Sequence, residues 1–387
     1  MPVPLRVGLV AGEASGDTLG AELIKSLRAL APDAQFFGVA GPKMRALGMD
    51  AWETSESLAV MGLFEILLEL PRLLRLRRRI RRRMTQARPD VFVGIDAPEF
   101  NLGLARRLRA AGIPTVQYVS PQVWAWRQGR VAGMRDAVDL VLCLLPFEKR
   151  FYDGQGLAAE FVGHPLADQI PLDVDRASAR AALGLRADAS VIALLPGSRR
   201  GEVRRLAPDF AATLRWLAAR RPDLEFVAPM ASAAIREYFA REVGARVPEA
   251  RLRLVDGQAQ TAMIAADAVL VASGTASLEC ALCKRPMVVV YRLGAATAWL
   301  LRRMRIVKSR FFAQPNLLAD RRLVGEYFQS DIVPESIGAE LLAWLTDTAR
   351  REEIGVEFAR IHAELRRDAS AGAARAILAL LGRTAAR

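Results

Sequence analysis

The chain has 387 residues, 52% of them hydrophobic and 25% charged. A chain of this length can bury a core without disulfide or metal staples, and its apolar content excludes intrinsic disorder. Lysine and arginine exceed aspartate and glutamate by 55 to 42, a formal net charge of +13, so the expected partner is anionic: nucleic acid, a phosphorylated ligand or an acidic membrane surface.

Three cysteines, Cys143, Cys280 and Cys283, cannot build a disulfide framework and suit a reducing cytoplasm. The start of the chain lacks a signal-peptide pattern, and no uncharged apolar run of about 18 residues predicts a membrane-spanning helix. A cytoplasmic location is expected, with room for association at a membrane surface.

In chain order, Leu5–Ala11 reads as a buried strand, followed by a glycine-rich turn and a helix over Asp17–Leu30. Further strands are expected at Gln35–Val39, Asp90–Ile95, Thr115–Val119 and Val138–Leu142, with helices between them, including Asn101–Ala111. The pattern weakens over Gly163–Asp188. It restarts with a strand at Val191–Leu195, a turn, a helix over Val203–Arg220, and strands at Glu225–Ala228, Arg253–Val255, Ala268–Val271 and Met287–Val290. Strands alternating with helices predict parallel sheets covered on both faces. Two Rossmann-like domains in tandem are expected, 1–165 and 166–350. Helices at Ile337–Ala349 and Glu353–Leu381 follow, and 351–387 is expected to pack back on the first domain.

Ligands of open parallel sheets bind beyond the carboxyl ends of the strands, so residues just after strands carry the chemistry. Gly12, Glu13, Ala14, Ser15, Gly16 and Asp17 follow the first strand and offer a tight turn with free helix N–H groups; the alternative is an ordinary helix start capped by Ser15 or Asp17. Asp96 follows Val91–Ile95, where a carboxylate could take a proton from a hydroxyl; the alternative is a cap on the helix entered through Pro98. Gly197, Ser198 and Arg199 follow Val191–Leu195 and suit a diphosphate, against a merely solvated basic turn. Ser273, Gly274, Thr275 and Ala276 form a small-residue loop opening a helix, a good anion site. Glu279, one turn on, could accept the hydroxyls of a ribose; the alternative is a capping box. Cys280 and Cys283 read as packing thiols, because one such pair and two distant histidines, His164 and His362, do not make a zinc site.

The largest charge feature places eight arginines within Arg72–Arg83, just after the apolar stretch Leu58–Leu70. Apolar residues beside dense cations suit a segment lying in an anionic membrane interface. Core packing or a homodimer face are the alternatives for Leu58–Leu70, and a solvated helix face or nucleic-acid binding those for the arginines. Trp299–Phe312 repeats the combination.

Together these motifs resemble the lipid-A-disaccharide synthases, glycosyltransferase family 19 with the GT-B fold. The landmarks are GEASGD (12–17), VMGLFEIL (60–67), GIDAPEFN (94–101), VSPQVWAWRQGR (119–130), FVGHP (161–165), LPGSRRGEV (195–203), SGTASLE (273–279) and QPNLLA (314–319). The resemblance implies an α/β chain of GT-B architecture, two Rossmann-like domains facing across a cleft. It implies an inverting transfer of 2,3-diacylglucosamine from UDP-2,3-diacylglucosamine to the 6-hydroxyl of 2,3-diacylglucosamine 1-phosphate, with no cofactor and no metal. Asp96 would be the general base with Glu13 beside it. Ser15, Gly16 and Asp17 would line the acceptor side. Gly197, Ser198, Arg199, Ser273–Ala276 and Glu279 would bind UDP, joined by Asn316 and Gln329. Val60, Met61, Leu63, Phe64, Leu67, Arg77, Arg78 and Arg81 would meet the anionic inner-membrane surface. One departure concerns Val324-Gly325-Glu326-Tyr327-Phe328-Gln329, where the family commonly has Val-Pro-Glu-Leu-Leu-Gln. A UDP-sugar 2-epimerase, another GT-B enzyme with a soluble acceptor, and a basic nucleic-acid-binding protein are the competing readings.

Overall fold

The computed structural model describes residues 4–58, 63–126, 128–294 and 309–382; for 63–68, 126 and 128 only the backbone is described. The chain forms two compact units. One comprises Met1–Asp168 with Leu365–Arg387, the other Gln169–Glu364.

The first unit holds seven parallel strands: β1 (Arg6–Ala11), β2 (Gln35–Ala40), β3 (Asp50–Thr54), β4 (Val91–Ile95), β5 (Thr115–Tyr118), β6 (Leu140–Cys143) and β7 (Ala159–Phe161). Their order is β3-β2-β1-β4-β5-β6-β7. Alternation along the strands divides the core. Val7, Leu9, Val93 and Ile95 pack with Leu23 and Leu27 on one face, and Val10 and Phe92 pack with Ile80, Met84, Leu104 and Leu108 on the other. Both faces are covered, which is why these strands read as unbroken apolar runs.

The arginine-rich segment is a helix, Leu63–Ala87. Leu76, Ile80 and Met84, spaced by four, are buried against the sheet, while Leu70 and Leu74 are 43% and 36% exposed on another side.

The second unit holds six parallel strands: β8 (Val191–Leu195), β9 (Glu225–Met230), β10 (Arg251–Asp256), β11 (Ala268–Ala272), β12 (Met287–Tyr291) and β13 (Gly325–Phe328), in the order β10-β9-β8-β11-β12-β13. The expected fold class, α/β with two doubly wound halves, is what the chain adopts.

The single helix expected over Glu353–Leu381 is two, Thr348–Leu365 and Ala369–Leu380, broken where Asp368 takes a left-handed φ of 53°. Only the second belongs to the first unit; residues 351–364 belong to the second unit. There Ala373, Ala374 and Ile377 join the core that contains Leu23 and Leu27. Asp168 fixes the start of this helix, its carboxylate accepting the N–H groups of Asp368 (2.9 Å) and Ala369 (2.7 Å).

Candidate functional site

In the first sheet the strand order reverses between β1 and β4, which lie side by side with Ala11 opposite Ile95. A switch point of this kind opens a crevice beyond the strand ends. The turns carrying Glu13 and Asp96 both leave from it. Gly12 lets them touch: a Cβ there would lie 2.4 Å from that of Ala97.

Glu13 occupies the N-cap of helix Ala14–Leu30 without a side-chain capping bond, and Glu13 and Ser15 are exposed. Gly16 and Asp17 are not. Asp17 is 2% exposed, and its carboxylate accepts the N–H groups of Lys43 (2.9 Å) and Met44 (3.1 Å) at the start of helix Pro42–Ala46. Asp17 therefore caps a neighbouring helix, and Gly16 lies buried against Ile95 beneath the turn.

Asp96 and Ala97 both have left-handed backbones, with φ of 54° and 41°. Ala97, not Asp96, is the N-cap of helix Pro98–Arg109, and no side chain caps it, so the capping alternative for Asp96 falls. The Asp96 carboxylate makes no hydrogen bond or ion pair among the described residues, whereas its main chain is held on several sides. Its N–H donates to Tyr118 O (2.9 Å), and its carbonyl accepts from Asn101 Nδ2 (2.8 Å) and Gln117 Nε2 (3.1 Å). Gln117 Nε2 also reaches the carbonyl of Val119 (3.3 Å), a β-branched residue at φ 76°. Both amides are buried. The sequence reading assigned neither a role, although a glutamine inside the apolar strand β5 was a usable signal.

In the second sheet the order reverses between β8 and β11, with Leu195 opposite Val271. The loops 196–199 and 273–275 leave from this pair. Gly197 has φ 109°, and a Cβ there would lie 2.2 Å from Glu202 Oε2. The Glu202 carboxylate sits beneath the turn, accepting the N–H groups of Ser198 and Arg199; burial raises its pKa against the pull of Arg199 and Arg205. Glu202 thus closes the backbone side of the turn and leaves Ser198 and Arg199 exposed to a ligand.

Ser273 N donates to Val290 O (2.8 Å), and Gly274 is the N-cap of helix Thr275–Leu282 with no side-chain cap, so no capping box forms there. Gly274 and Thr275 are exposed and Ala276 is half-buried. Glu279 is four residues from Thr275, on the same helix face. Burial raises its pKa, and its carboxylate has no hydrogen bond or ion pair among the described residues. On the adjoining pair, Tyr291 of β12 lies opposite Phe328 of β13, and Gln329 Nε2 donates to Leu293 O (3.3 Å).

A model of the lipid-A-disaccharide synthetase family matches residues 7–379. A lipid-A-disaccharide synthase of Pseudomonas aeruginosa is 53% identical over 379 residues, 98% of this chain and 99% of its own. One of Serratia proteamaculans is 50% identical over 377 residues, 97% and 98% of the two chains. The chain belongs to the lipid-A-disaccharide synthase family. Among solved structures, a UDP-N-acetylglucosamine 2-epimerase described as putative, from Listeria monocytogenes, aligns with a TM-score of 0.63 at 14% identity, covering 98% and 96% of the chains. A glycosyltransferase of Rickettsia africae aligns at 0.60 and 10%, covering 98% of each. These likenesses show the shared fold.

Within this lipid-A-disaccharide synthase framework, Asn316 lies in helix Gln314–Ala319. It is fully buried. Its Oδ1 accepts Leu323 N (2.7 Å) and Val324 N (3.0 Å), and its Nδ2 donates to Val324 O and Glu326 Oε1, both at 3.0 Å. Every hydrogen-bonding position of the amide is used, so Asn316 braces the chain before β13. Glu326, from the stretch that departs from the family pattern, completes the brace by accepting Phe312 N (3.1 Å) and Ala313 N (2.6 Å). Cys280 and Cys283 are buried thiols, that of Cys283 pushed up to about 12 by burial.

Of the residues expected at a membrane, Val60 and Met61 lie outside the described residues, as does most of the second patch, 295–308. Leu63, Phe64 and Leu67 fall on the backbone of helix Leu63–Ala87, which also carries Arg77, Arg78 and Arg81. Among the described residues, no helix is long and apolar enough to cross a membrane.

Proposed function

We propose that the chain transfers 2,3-diacylglucosamine from its UDP-activated form to the 6-hydroxyl of 2,3-diacylglucosamine 1-phosphate, with inversion at the anomeric carbon. The observation that carries the reading is topological. In each sheet the pair of loops marked from the sequence leaves the one strand pair where the order reverses, Ala11 with Ile95 and Leu195 with Val271.

On the acceptor side, Asp96 takes the proton of the attacking hydroxyl. A carboxylate with no partner among the described residues, on a main chain held by Asn101 and Gln117, supports this role. Exposed Glu13 and Ser15 flank it. As the acceptor oxygen bonds to the anomeric carbon, the bond to the diphosphate oxygen breaks and UDP leaves with its electron pair. Arg199, Ser198 and the N-terminus of helix Thr275–Leu282 stabilise that charge. Glu279 accepts the ribose hydroxyls, and Gln329 contributes from the neighbouring strand end. Helix Leu63–Ala87 rests on an anionic membrane surface, from which both acylated substrates enter.

An epimerase reading shares only the fold, at 14% identity in the Listeria protein. Incubating the protein with both acylated substrates, with UDP release and the disaccharide phosphate followed by mass spectrometry, should show stoichiometric products. Asp96→Asn should bind UDP as the parent does and lose transfer by about a hundredfold or more, the size of a general-base contribution. Near-normal turnover by that variant would remove Asp96 as the base, and epimerised UDP-sugar without disaccharide would overturn the reaction.

A further inference from the structure

Helices Leu63–Ala87 and Pro98–Arg109 pack side by side and leave between them a groove of about 160 Å³. The first helix lines it with Leu74, Arg77, Arg78 and Arg81, the second with Gly103, Leu104 and Arg107. Positions 74, 77, 78 and 81 fall on one helical face, so three guanidinium groups from it and that of Arg107 converge on one concavity.

Several neighbouring arginines are engaged elsewhere, although Arg82, outside the groove, has no side-chain partner among the described residues. Arg72 and Arg79 pair with Glu69 and Glu53, Arg83 lies over the ring of Trp52, Arg106 donates to Gly133 O, and Arg109 pairs with Asp139. The guanidinium groups of Arg77, Arg78, Arg81 and Arg107 make no hydrogen bond or ion pair among the described residues. Arg77 is also seated with care. A Cβ on Gly103 would lie 2.3 Å from its Nη1 and 3.0 Å from its Cζ, so the guanidinium rests on bare helix backbone. Burial and the nearby charge of Arg107 both lower the Arg77 pKa. Concentrating unpaired cations in a concavity is unfavourable by itself, and an oxyanion offering several acceptors reverses that penalty.

We propose that this groove is a discrete phosphate-binding site for the headgroup of an anionic glycerophospholipid, seated on Arg77 and Arg107 with Arg78 and Arg81 at its rim. A phosphate matches the forked donors of arginine. Leu74 in the groove and Leu70 one turn before it, 36% and 43% exposed, give the ligand an apolar neighbour that a free inorganic ion would not use. The site deepens the membrane reading above by replacing a diffuse charge attraction with a saturable one.

The test uses the full chain with saturating UDP, which occupies the proposed diphosphate site. Dihexanoyl phosphatidic acid, below its micelle concentration, should bind at one molecule per chain in calorimetry. Arg77→Gln and Arg107→Gln should each weaken it by about tenfold or more, the loss of one charge-assisted partner. Gly103→Leu should do the same without changing charge. Arg82→Gln, which removes the same charge outside the groove, should leave binding unchanged. Equal weakening by Arg82→Gln, non-saturable binding, or inorganic phosphate binding as tightly as the lipid would each overturn the site. Co-sedimentation of the parent with phosphatidylglycerol vesicles reads the membrane role separately. If it fails while the short-chain lipid still binds saturably, the membrane reading falls and the groove stands.

Discussion

At Asp96 the main chain and the side chain are under opposite regimes. Two successive non-glycine residues in the left-handed region cost on the order of 1 kcal/mol or more each. The cost is met by buried amides: Asn101 Nδ2 reaches the carbonyls of Val10 (3.3 Å), Ile95 (3.4 Å) and Asp96, and Gln117 holds Asp96 and Val119 together. Gln117 is thus a positioning residue for the carboxylate. Gln117→Leu keeps the volume but strands buried carbonyls, and should destabilise the chain by about 1–3 kcal/mol. Its diagnostic effect is kinetic. In the surviving folded protein kcat should fall while UDP affinity, measured by calorimetry, stays put. A fall in stability with kcat unchanged would show that the amide supports the fold alone.

Among the elements, the start of helix Pro146–Tyr152 makes a prediction about pH. Glu148 is buried there, its carboxylate accepting Leu145 N (3.1 Å), and burial pushes its pKa up to about 7. The unfolded chain ionises this group from 4.5 upward while the folded chain keeps the proton, so stability is full below 4.5 and falls as pH rises to about 7, by about 3 kcal/mol at most. His164 works the other way. Burial lowers its pKa to about 4 from 6.5, so its contribution is present above 6.5 and is lost as pH falls toward 4. The two slopes oppose each other between about pH 4.5 and 6.5, and the denaturant stability of the first unit, which holds both groups, should be nearly flat there. Glu148→Gln should expose the histidine slope, with stability rising with pH over the same window; an unchanged flat profile would refute the pairing. The sequence made the central strands and the residues at their ends legible, because full burial writes Val91–Ile95 and Val191–Leu195 as apolar runs and glycines mark the turns. The short strands β3, β7 and β13 were not legible, since Asp50–Thr54, Ala159–Phe161 and Gly325–Phe328 mix polar and apolar residues in three to five positions. Nor were the jobs of Asp17 and Asn316, since each depends on partners brought close only by the fold, 26 residues away for Lys43 and 10 for Glu326.

For the whole molecule, the telling feature is that the first unit is built from two separated stretches of chain. Its last helix, Ala369–Leu380, is a structural part of the first core: Ile377 and Leu378 are buried among residues of helix Ala14–Leu30, and Asp168 holds the helix start. Each buried leucine or isoleucine side chain is worth roughly 1.5–3 kcal/mol, so losing this helix removes several kcal/mol from a unit whose whole margin is about 5–15 kcal/mol. It also means that the first unit cannot complete its core until the end of the chain is available, after the second unit has all its strands. A chain ending at Glu364 should therefore show two calorimetric transitions. The one from Gln169–Glu364 should stay near its original temperature, and the one from Met1–Asp168 should move down by ten degrees or more, as a loss of several kcal/mol implies for about 170 residues. Supplying the helix as a separate peptide should raise the lower transition again in a concentration-dependent way. Coincident transitions in the truncated chain, or a first-unit transition left where it was, would show that the terminal helix is not part of that core's stability.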